Sequence, residues 1–242
     1  KGYKLLLMKA CVATMHTPWS YQELADLTNP NKEKYCIKNG YDFRPKFFDF
    51  YYEKSYLSPN KAFGINNFSV GWEKIFFILD LLKENKSEWI FWLGCDTLIT
   101  NYEIKLEDIV DNDYHFMIAY DCNEWNADSF LIRNSKEGIE YFEYLASIID
   151  DYRQHVWQEQ QAMIDSRDKF ASITKEVPQE LINSFEYGIY PTPQHQAGRD
   201  AKGNNGRWTK GHFVVHWPGT SLGHRLQLAN KYLNENLIIG ND

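Results

Sequence analysis

One carboxylate follows a strongly apolar segment, and its position suggests ligand chemistry. Residues 89–93 read Trp-Ile-Phe-Trp-Leu, a continuous apolar run that is typical of a strand buried on both faces. The run leads into Gly94-Cys95-Asp96, so the strand would carry Asp96 to the carboxyl edge of a sheet. Ligands bind at that edge in open α/β sheets. On this segment alone, a ligand site and a simple turn after a core strand are equally good interpretations.

Other chemically useful side chains follow or lie within predicted elements. His216 ends the apolar run Val-Val-His-Trp near the C-terminus, where a lone histidine is more often structural than ligating. Asp121 ends a second apolar strand, and Asp128 lies at the start of a further one. Glu159-Gln160 lie on a short predicted helix. Carboxylate, imidazole and phosphate groups together suit Mn²⁺ well and Mg²⁺ acceptably.

The elements that must position these groups predict an α/β chain. Residues 4–13 read as a buried strand. Asn29-Pro30 predicts the start of a helix, and Asn39-Gly40 predicts its end. Residues 41–43 resume an extended segment, so the first part of the chain predicts a βαβ unit.

The rest of the chain continues to alternate helices and strands. The predicted elements are helices at 69–83, 136–152, 157–164 and 222–233, a short turn at 104–110, and strands at 115–120, 126–135 and 212–217. Ser135 is the expected N-cap of the second of these helices. We predict loops at 51–67 and 188–211, and the second loop carries the basic residues Arg199, Lys202, Arg207 and Lys210. No internal repeat or domain boundary is visible, so we expect one domain over residues 1–242.

The composition excludes several classes of function. With 242 residues, 43% of them hydrophobic, the chain can build the core of one large domain. Its formal net charge of −7 argues against nucleic acid as a partner. The four scattered cysteines favour neither a zinc site nor a disulfide framework. No stretch of the sequence is apolar enough over a sufficient length to span a bilayer, and no signal peptide is visible.

These observations leave the cellular compartment open. A soluble cytoplasmic domain is favoured. A Golgi-lumen location stays open if the chain, which starts at Lys1 without methionine, is excised from a membrane-anchored parent.

Several motifs, taken in order, resemble those of a known enzyme family. They are Asn31-Lys32-x-x-Tyr35, Asn39-Gly40-Tyr41, Gly71-Trp72-Glu73-Lys74-Ile75, Trp92-Leu93-x-x-Asp96-x-Leu98-Ile99-x-Asn101, Asn126-x-x-Ser129-Phe130-Leu131-Ile132-Arg133-Asn134-Ser135, Glu159-Gln160 and Val214-Val215-His216-Trp217-x-Gly219. In this order, over about residues 30–220, the chain resembles glycosyltransferase family 34. That family contains fungal α-galactosyl- and mannan-synthesising transferases and plant xyloglucan xylosyltransferases.

The resemblance implies a fold and an activity. The implied fold is the GT-A nucleotide-diphospho-sugar transferase fold, a Rossmann-like mixed sheet flanked by helices. The implied activity is retaining transfer from a nucleotide-diphosphate sugar, usually a UDP-sugar, to a saccharide acceptor, with Mn²⁺ or Mg²⁺ bound. The family's metal ligands fall on Asp96 and His216 of this sequence. A divalent cation there would neutralise the charge on the leaving diphosphate.

Further site residues follow once this activity is assumed. Lys74 and Arg225 are expected at the donor phosphates, or Lys74 at an active-site carboxylate. Retention needs a carboxylate nucleophile or departure and attack on the same face. Glu159 is therefore expected to bind sugar hydroxyls, and the Gln160 amide oxygen to stabilise positive charge at the reacting carbon. Other donor-binding candidates are Trp72, Cys95, Asn126 and Gly219.

Two positions depart from the family pattern. Gly94 stands where the family carries the first Asp of its Asp-x-Asp motif. Asp128 stands where the family usually carries Gly. Asp128 is either an exposed acid at a strand start or a carboxylate that contacts donor-sugar hydroxyls and partly compensates for Gly94.

Gly94 also motivates a second hypothesis from another class of protein. The chain could be a catalytically weakened or silent relative that binds nucleotide or glycan without turnover. A third hypothesis, a nucleotidyltransferase, has less support, because no Gly-rich phosphate loop follows the first predicted strand.

Overall fold

Nine strands form two sheets in the computed structural model, which describes residues 8–48, 70–152, 155–186, 200 and 202–241. The strands in the described residues are β1 (Ala10–His16), β2 (Asp42–Phe47), β3 (Trp89–Leu93), β4 (Thr97–Ile99), β5 (Phe116–Asp121), β6 (Glu124–Arg133), β7 (Thr174–Val177), β8 (Ser184–Phe185) and β9 (Val214–His216). The α-helices there are α1 (Pro18–Asn39), α2 (Val70–Glu84), α3 (Lys136–Ser147), α4 (Ile149–Tyr152), α5 (Gln158–Asp165), α6 (Gln179–Ile182) and α7 (Leu222–Asn234). Short 3₁₀ turns cover Leu106–Asp108 and Ala171–Ile173.

The larger sheet is mixed and has the strand order β2-β1-β3-β6-β5-β7. Strand β1 pairs in parallel with β2 and β3, and β5 pairs in parallel with β7. Strand β6 runs antiparallel to both β3 and β5. This arrangement confirms the predicted α/β class, the mixed sheet and the initial βαβ unit.

Strand β3 is buried on both faces, as its continuous apolar sequence predicts. Trp89, Phe91 and Leu93 belong to one core cluster, whereas Ile90 and Trp92 belong to the cluster under α2 and α3. Burial on both faces leaves polar chemistry only at the strand ends. Since β6 is antiparallel to β3, the start of β6 lies beside the end of β3.

A smaller sheet, with the order β4-β9-β8, continues from this edge. Thr97, directly after Asp96, pairs with His216 across the antiparallel strands β4 and β9. The Thr97 hydroxyl also donates to the Gly94 carbonyl at 2.8 Å, which closes the turn between β3 and β4. The pairing of β4 with β9 therefore brings the predicted metal ligands together.

The first helix differs from its prediction at the start but not at the end. Helix α1 begins at Pro18 after the N-cap residue Thr17, and Pro30 lies inside it. The predicted start at Asn29-Pro30 was therefore wrong, although Pro18 also occupies the favoured first position. The predicted end was right, because Gly40 has φ 76° and its N–H donates to the Cys36 carbonyl.

Buried hydrogen bonds from the middle of α1 explain why the helix continues through Pro30. The Thr28 hydroxyl donates to the Cys95 carbonyl at 2.8 Å, and the Lys32 ammonium donates to the Thr97 carbonyl at 2.9 Å. The Asn31 amide donates to the Ile99 carbonyl and accepts from the Ile99 N–H, both at 2.9 Å. These contacts offset the backbone hydrogen bond that a proline removes, and they fix the segment that carries Asp96.

Most other predicted elements are confirmed, with small shifts. The 69–83 helix is α2, the 157–164 helix is α5 and the terminal helix is α7. The predicted 136–152 helix is divided into α3 and α4, and the Ser135 hydroxyl accepts from the Gly138 N–H as the expected N-cap. The 51–67 loop and most of the 188–211 loop lie outside the described residues. Among the helices that the structure describes, none combines the length and apolar character needed to cross a membrane.

We expect Asn31→Ala to destabilise the protein. The substitution leaves the buried N–H and carbonyl of Ile99 without the Asn31 amide. The free energy of unfolding should fall by about 3 kcal/mol, measured by urea denaturation. Asn234→Ala is the matched control, because the exposed Asn234 amide makes one hydrogen bond on the surface of α7. Equal effects of the two variants would contradict the assigned role of Asn31.

Candidate active site

A cavity of ≈ 280 Å³ lies where β1 and β3 end and β6 begins. This volume is close to the lower limit for small-molecule sites, which hold roughly 300–1,000 Å³. Among the predicted site residues, those that line the cavity are Lys74, Cys95, Asp96, Asp128, Glu159 and Arg225. The sheet edge therefore gathers both signs of charge in one cavity.

Two carboxylates and an imidazole converge at this edge. Asp96, Asp128 and His216 each offer one ligand atom, and these atoms all lie within 4.8 Å of one another. The His216 Nε2 atom is 3.4 Å from Oδ1 of Asp96. Two carboxylate oxygens and one imidazole nitrogen form a donor set that fits Mn²⁺ or Mg²⁺.

A buried asparagine holds the imidazole in a ligating orientation. The Nδ1 atom of His216 lies 2.7 Å from Oδ1 of Asn183, and both side chains are fully buried. Because an amide oxygen only accepts, Nδ1 carries a hydrogen, so Nε2 is the ring nitrogen that faces the carboxylates. Metal-binding histidines are typically oriented in this way by a second hydrogen-bond partner.

Asp96 is a buried carboxylate with strong cationic compensation. Burial alone would raise the pKa of Asp96, but the charges of Arg225 and His216 outweigh burial, and the pKa lies well below its ordinary value. The Arg225 guanidinium lies 3.0 Å from Oδ2 of Asp96. Arg225 is itself fixed, since it donates to the Trp217 carbonyl at 3.0 Å and to the Tyr21 hydroxyl at 2.6 Å. Asp96 thus stays ionised at neutral pH.

Lys74 connects two carboxylates beneath the cavity. Its buried ammonium lies 3.1 Å from Oδ1 of Asp128 and 3.0 Å from Oε1 of Glu159, and it donates to the Ala127 carbonyl at 2.7 Å. Burial tends to lower the pKa of Lys74, but the two carboxylates reverse that effect and the pKa is raised. All three ammonium hydrogens have acceptors. Lys74 thus contacts two carboxylates of the cavity, and its role at the donor phosphates stays a prediction.

Gly71 makes room for Glu159. A Cβ atom at position 71 would overlap the Glu159 carboxylate, so a larger residue would displace this group. The Glu159 side chain is only 12% exposed. The start of α2 therefore determines where the Glu159 carboxylate can lie.

Gln160 and Asn126 support the start of β6 from behind the cavity. The Gln160 amide oxygen accepts from the Ala127 N–H at 3.2 Å. Asn126 accepts from the Asp128 N–H at 2.8 Å and donates to Asp121 at 2.7 Å. Burial raises the pKa of Asp121, although hydrogen bonds from Asn126 and the Asn123 backbone oppose it. These contacts fix the backbone on which Asp128 sits.

The remaining predicted donor-binding residues have different surroundings. Trp72 is fully buried in the hydrophobic core under α2, and Gly219 lies in the turn between β9 and α7. Cys95 lines the cavity, and burial raises the pKa of its thiol to about 11, so the thiol stays protonated at neutral pH. Of the basic loop residues, Lys202 pairs with Glu176, and Arg199 lies outside the described residues.

Sequence reasoning missed one wall of the cavity and one supporting residue. Met15, His16, Thr17 and Tyr21 line the cavity from the end of β1 and the start of α1. The signal was present in Thr17-Pro18, a favourable N-cap and first helical position. Asn183 lies in an irregular segment between α6 and β8, where no local pattern marks it.

Comparisons with known sequences indicate a family. Residues 4–113 and 109–226 match the galactosyl transferase GMA12/MNN10 family. An uncharacterized alpha-1,2-galactosyltransferase of Schizosaccharomyces pombe is 27% identical in an alignment over 170 residues that covers 55% of this chain and 42% of the relative. The probable alpha-1,2-galactosyltransferase gmh1 of the same yeast is 27% identical in an alignment over 186 residues that covers 60% of this chain and 56% of the relative. The chain thus spans about two fifths to just over half the length of these curated relatives.

Comparisons with solved structures confirm the predicted GT-A fold. A glycosyltransferase involved in the glycosylation of the major capsid of PBCV-1 has a TM-score of 0.66 at 15% identity, covering 92% of this chain and 98% of that one. The galactosyltransferase LgtC, solved with donor and acceptor sugar analogs, has a TM-score of 0.56 at 12% identity and covers 94% and 95%. Identities this low show the fold alone.

We expect Arg225→Met to destabilise the protein in a pH-dependent way. Because the pKa of Asp96 is lowered in the folded wild type, its ionised carboxylate stabilises the fold at pH values above the ordinary pKa of 3.8. That contribution is lost as the pH falls through the pKa of the folded state. Near neutral pH the variant should lose about 3 kcal/mol of unfolding free energy, because Asp96 keeps a buried charge without its main partner. The loss should shrink as the pH falls, because the buried carboxylate without Arg225 takes up a proton at a higher pH than it does in the wild type.

Chemical denaturation across this pH range measures the effect. The matched control is Arg207→Met, which removes an exposed arginine and should change stability little at any pH. A loss that does not depend on pH would contradict the assigned electrostatic role of Arg225.

Proposed function

The chain belongs to the galactosyl transferase GMA12/MNN10 family, glycosyltransferase family 34, and we propose that it is a metal-dependent retaining glycosyltransferase. Its donor would be a nucleotide-diphosphate sugar, with UDP as the nucleotide, and its acceptor a saccharide. The observation that carries this proposal is the convergence of Asp96, Asp128 and His216 within 4.8 Å at the sheet edge. The names of the yeast relatives favour galactose as the transferred sugar.

Asp96 and His216 would hold a divalent cation, Mn²⁺ or Mg²⁺, which neutralises charge on the leaving diphosphate when bound. Asn183 keeps Nε2 of His216 directed toward the carboxylates, from where it could bind the cation. Arg225 keeps Asp96 ionised and in place through the 3.0 Å contact. Its positive charge at the cavity wall also favours the approach of the diphosphate.

Glu159 and Asp128 line the cavity and would face the donor sugar. The pairing with Lys74 fixes the Glu159 carboxylate, so Glu159 can accept hydrogen bonds from sugar hydroxyls without rearranging. Gln160 does not line the cavity, and its amide oxygen accepts from the Ala127 N–H, so its predicted stabilisation of positive charge at the reacting carbon would require its side chain to turn toward the donor. Retention would then proceed by a carboxylate nucleophile or by same-face attack beside the leaving phosphate.

The competing proposal is a catalytically silent relative, because Gly94 replaces the first Asp of the family's Asp-x-Asp motif. Such a protein would bind nucleotide or glycan at the same cavity and would not turn over a donor. The nucleotidyltransferase interpretation has no observation in its favour, since the chain matches a galactosyl transferase family over most of its length.

We expect His216→Ala and Asp96→Asn to remove the metal dependence of UDP binding. Calorimetry should show that Mn²⁺ strengthens UDP binding to the wild type, and that either substitution weakens this effect by at least about 10-fold. His224→Ala removes an exposed histidine on α7 and should behave like the wild type. UDP binding that is unaffected by Mn²⁺ in the wild type would contradict the proposed site.

We expect Glu159→Gln to reduce turnover without weakening UDP binding. The substitution preserves size but removes a charge fixed by Lys74 beside the predicted sugar position. Hydrolysis of a panel of UDP- and GDP-sugars should fall by roughly 100-fold for the accepted donor. Glu235→Gln, at an exposed position, is the control. Mn²⁺-dependent UDP binding with no hydrolysis or transfer of any donor by the wild type would favour the silent relative.

A further inference from the structure

We propose that Asp128 is the third protein ligand of the cation, and that positions 94 and 128 form a cross-strand pair with room for one carboxylate. This inference rests on the proposed function. It joins the two departures from the family pattern into one structural change. The carboxylate that the family supplies from the end of β3 would be supplied here from the start of β6.

The strand register places the two positions side by side. Leu93 pairs with Ser129 in the antiparallel ladder of β3 and β6. The next residue along, Gly94, donates its N–H to the Asp128 carbonyl at 2.7 Å. Positions 94 and 128 therefore face each other across one hydrogen-bonded step of the two chains.

The space between these positions is tight for two side chains. A Cβ atom at position 94 would lie 3.1 Å from Cβ and 3.4 Å from Cγ of Asp128, and 3.0 Å from Oδ1 of Asp96. Optimal separations of carbon atoms are roughly 3.5–4.0 Å, so a side chain at 94 and the present Asp128 would have to move apart. An acid at 94 therefore fits better beside a small residue at 128, and Asp128 fits better beside glycine at 94.

The carboxylate of Asp128 lies close to the two other proposed ligands. A ligand atom of Asp128 lies within 4.8 Å of those of Asp96 and His216. Lys74 contacts Oδ1 of Asp128 at 3.1 Å, and a carboxylate has a second oxygen that can coordinate a cation at the same time. The Asp128 side chain is 45% exposed, which leaves its cavity side open to a phosphate or water.

Three ligands thus come from three separate segments. Asp96 follows β3, Asp128 lies on β6 and His216 ends β9. Two carboxylates and one imidazole thus lie close together although they are far apart in the sequence. This arrangement gives a chain that has Gly94 a site of two carboxylates and one histidine.

A carboxylate swap tests the inference. The variants are Asp128→Gly, Gly94→Asp, the double variant and the size-preserving Asp128→Asn. Mn²⁺ binding is measured with and without UDP by the loss of the free Mn²⁺ electron paramagnetic resonance signal, and thermal melting reports folding. Asp113→Asn, an exposed acid away from the cavity, is the control.

We expect both Asp128 substitutions to weaken Mn²⁺ binding by at least about 10-fold, the range seen when metal-site partners are lost. The double variant should recover most of the wild-type affinity, because removal of the Asp128 side chain leaves space for the new carboxylate at position 94. Gly94→Asp alone should lower the melting temperature, because two side chains then compete for one space.

Two results would overturn the inference. If Asp128→Asn binds Mn²⁺ as the wild type does, Asp128 is not a ligand, while the His216→Ala result can still uphold the proposed function. If the double variant folds but binds Mn²⁺ no better than Asp128→Gly, a carboxylate at position 94 cannot replace the one at position 128 as a ligand. A wild type that binds no Mn²⁺ under either condition would overturn this inference and the proposed metal dependence together.

Discussion

The buried charge of Asp96 is the constraint on which the arrangement of the site depends. A carboxylate removed from water is costly unless cations and hydrogen-bond donors compensate it. Arg225 from α7 and His216 from β9 provide that compensation, so the C-terminal part of the chain must pack against the end of β3. The contacts of α1 to residues 95–99 hold the same segment from the other side. One ionised group therefore links the first helix, the central strand and the last helix.

The antiparallel direction of β6 adds the second half of the site. If β6 ran parallel to β3, its first residues would lie at the opposite edge of the sheet. Instead the start of β6 brings Asp128 beside Asp96, while α2 and α5 bring Lys74 and Glu159 to the same cavity. The residues proposed to bind the cation and those proposed to bind the sugar thus share one carboxylate, Asp128.

Local patterns predicted those parts of the structure that local chemistry determines. The apolar run of β3, the Gly40 helix end and the Ser135 N-cap each follow from neighbouring residues. The start of α1 was missed because the contacts of Thr28 and Asn31 with distant residues override the breaking tendency of Pro30. The position of Gly94 opposite Asp128 depends on the register between β3 and β6. The contact of Asn183 with His216 depends on how β8 pairs with β9. Sequence periodicity contains neither kind of information.

The Lys74 ammonium has an acceptor for each of its three hydrogens, and two of these acceptors are carboxylates of the cavity. Its three hydrogens are shared between Asp128, Glu159 and the Ala127 carbonyl, so the two carboxylates compete for one ammonium. A cation bound to Asp128 would weaken the attraction between Asp128 and Lys74, so Lys74 would bind Glu159 more strongly. A ligand bound to Glu159 would in the same way strengthen the pair of Lys74 with Asp128. Because such linkage is reciprocal, occupancy of one half of the cavity must change the affinity of the other by the same factor. Lys74 would thereby couple the two proposed binding events, although it contacts neither ligand in the proposal.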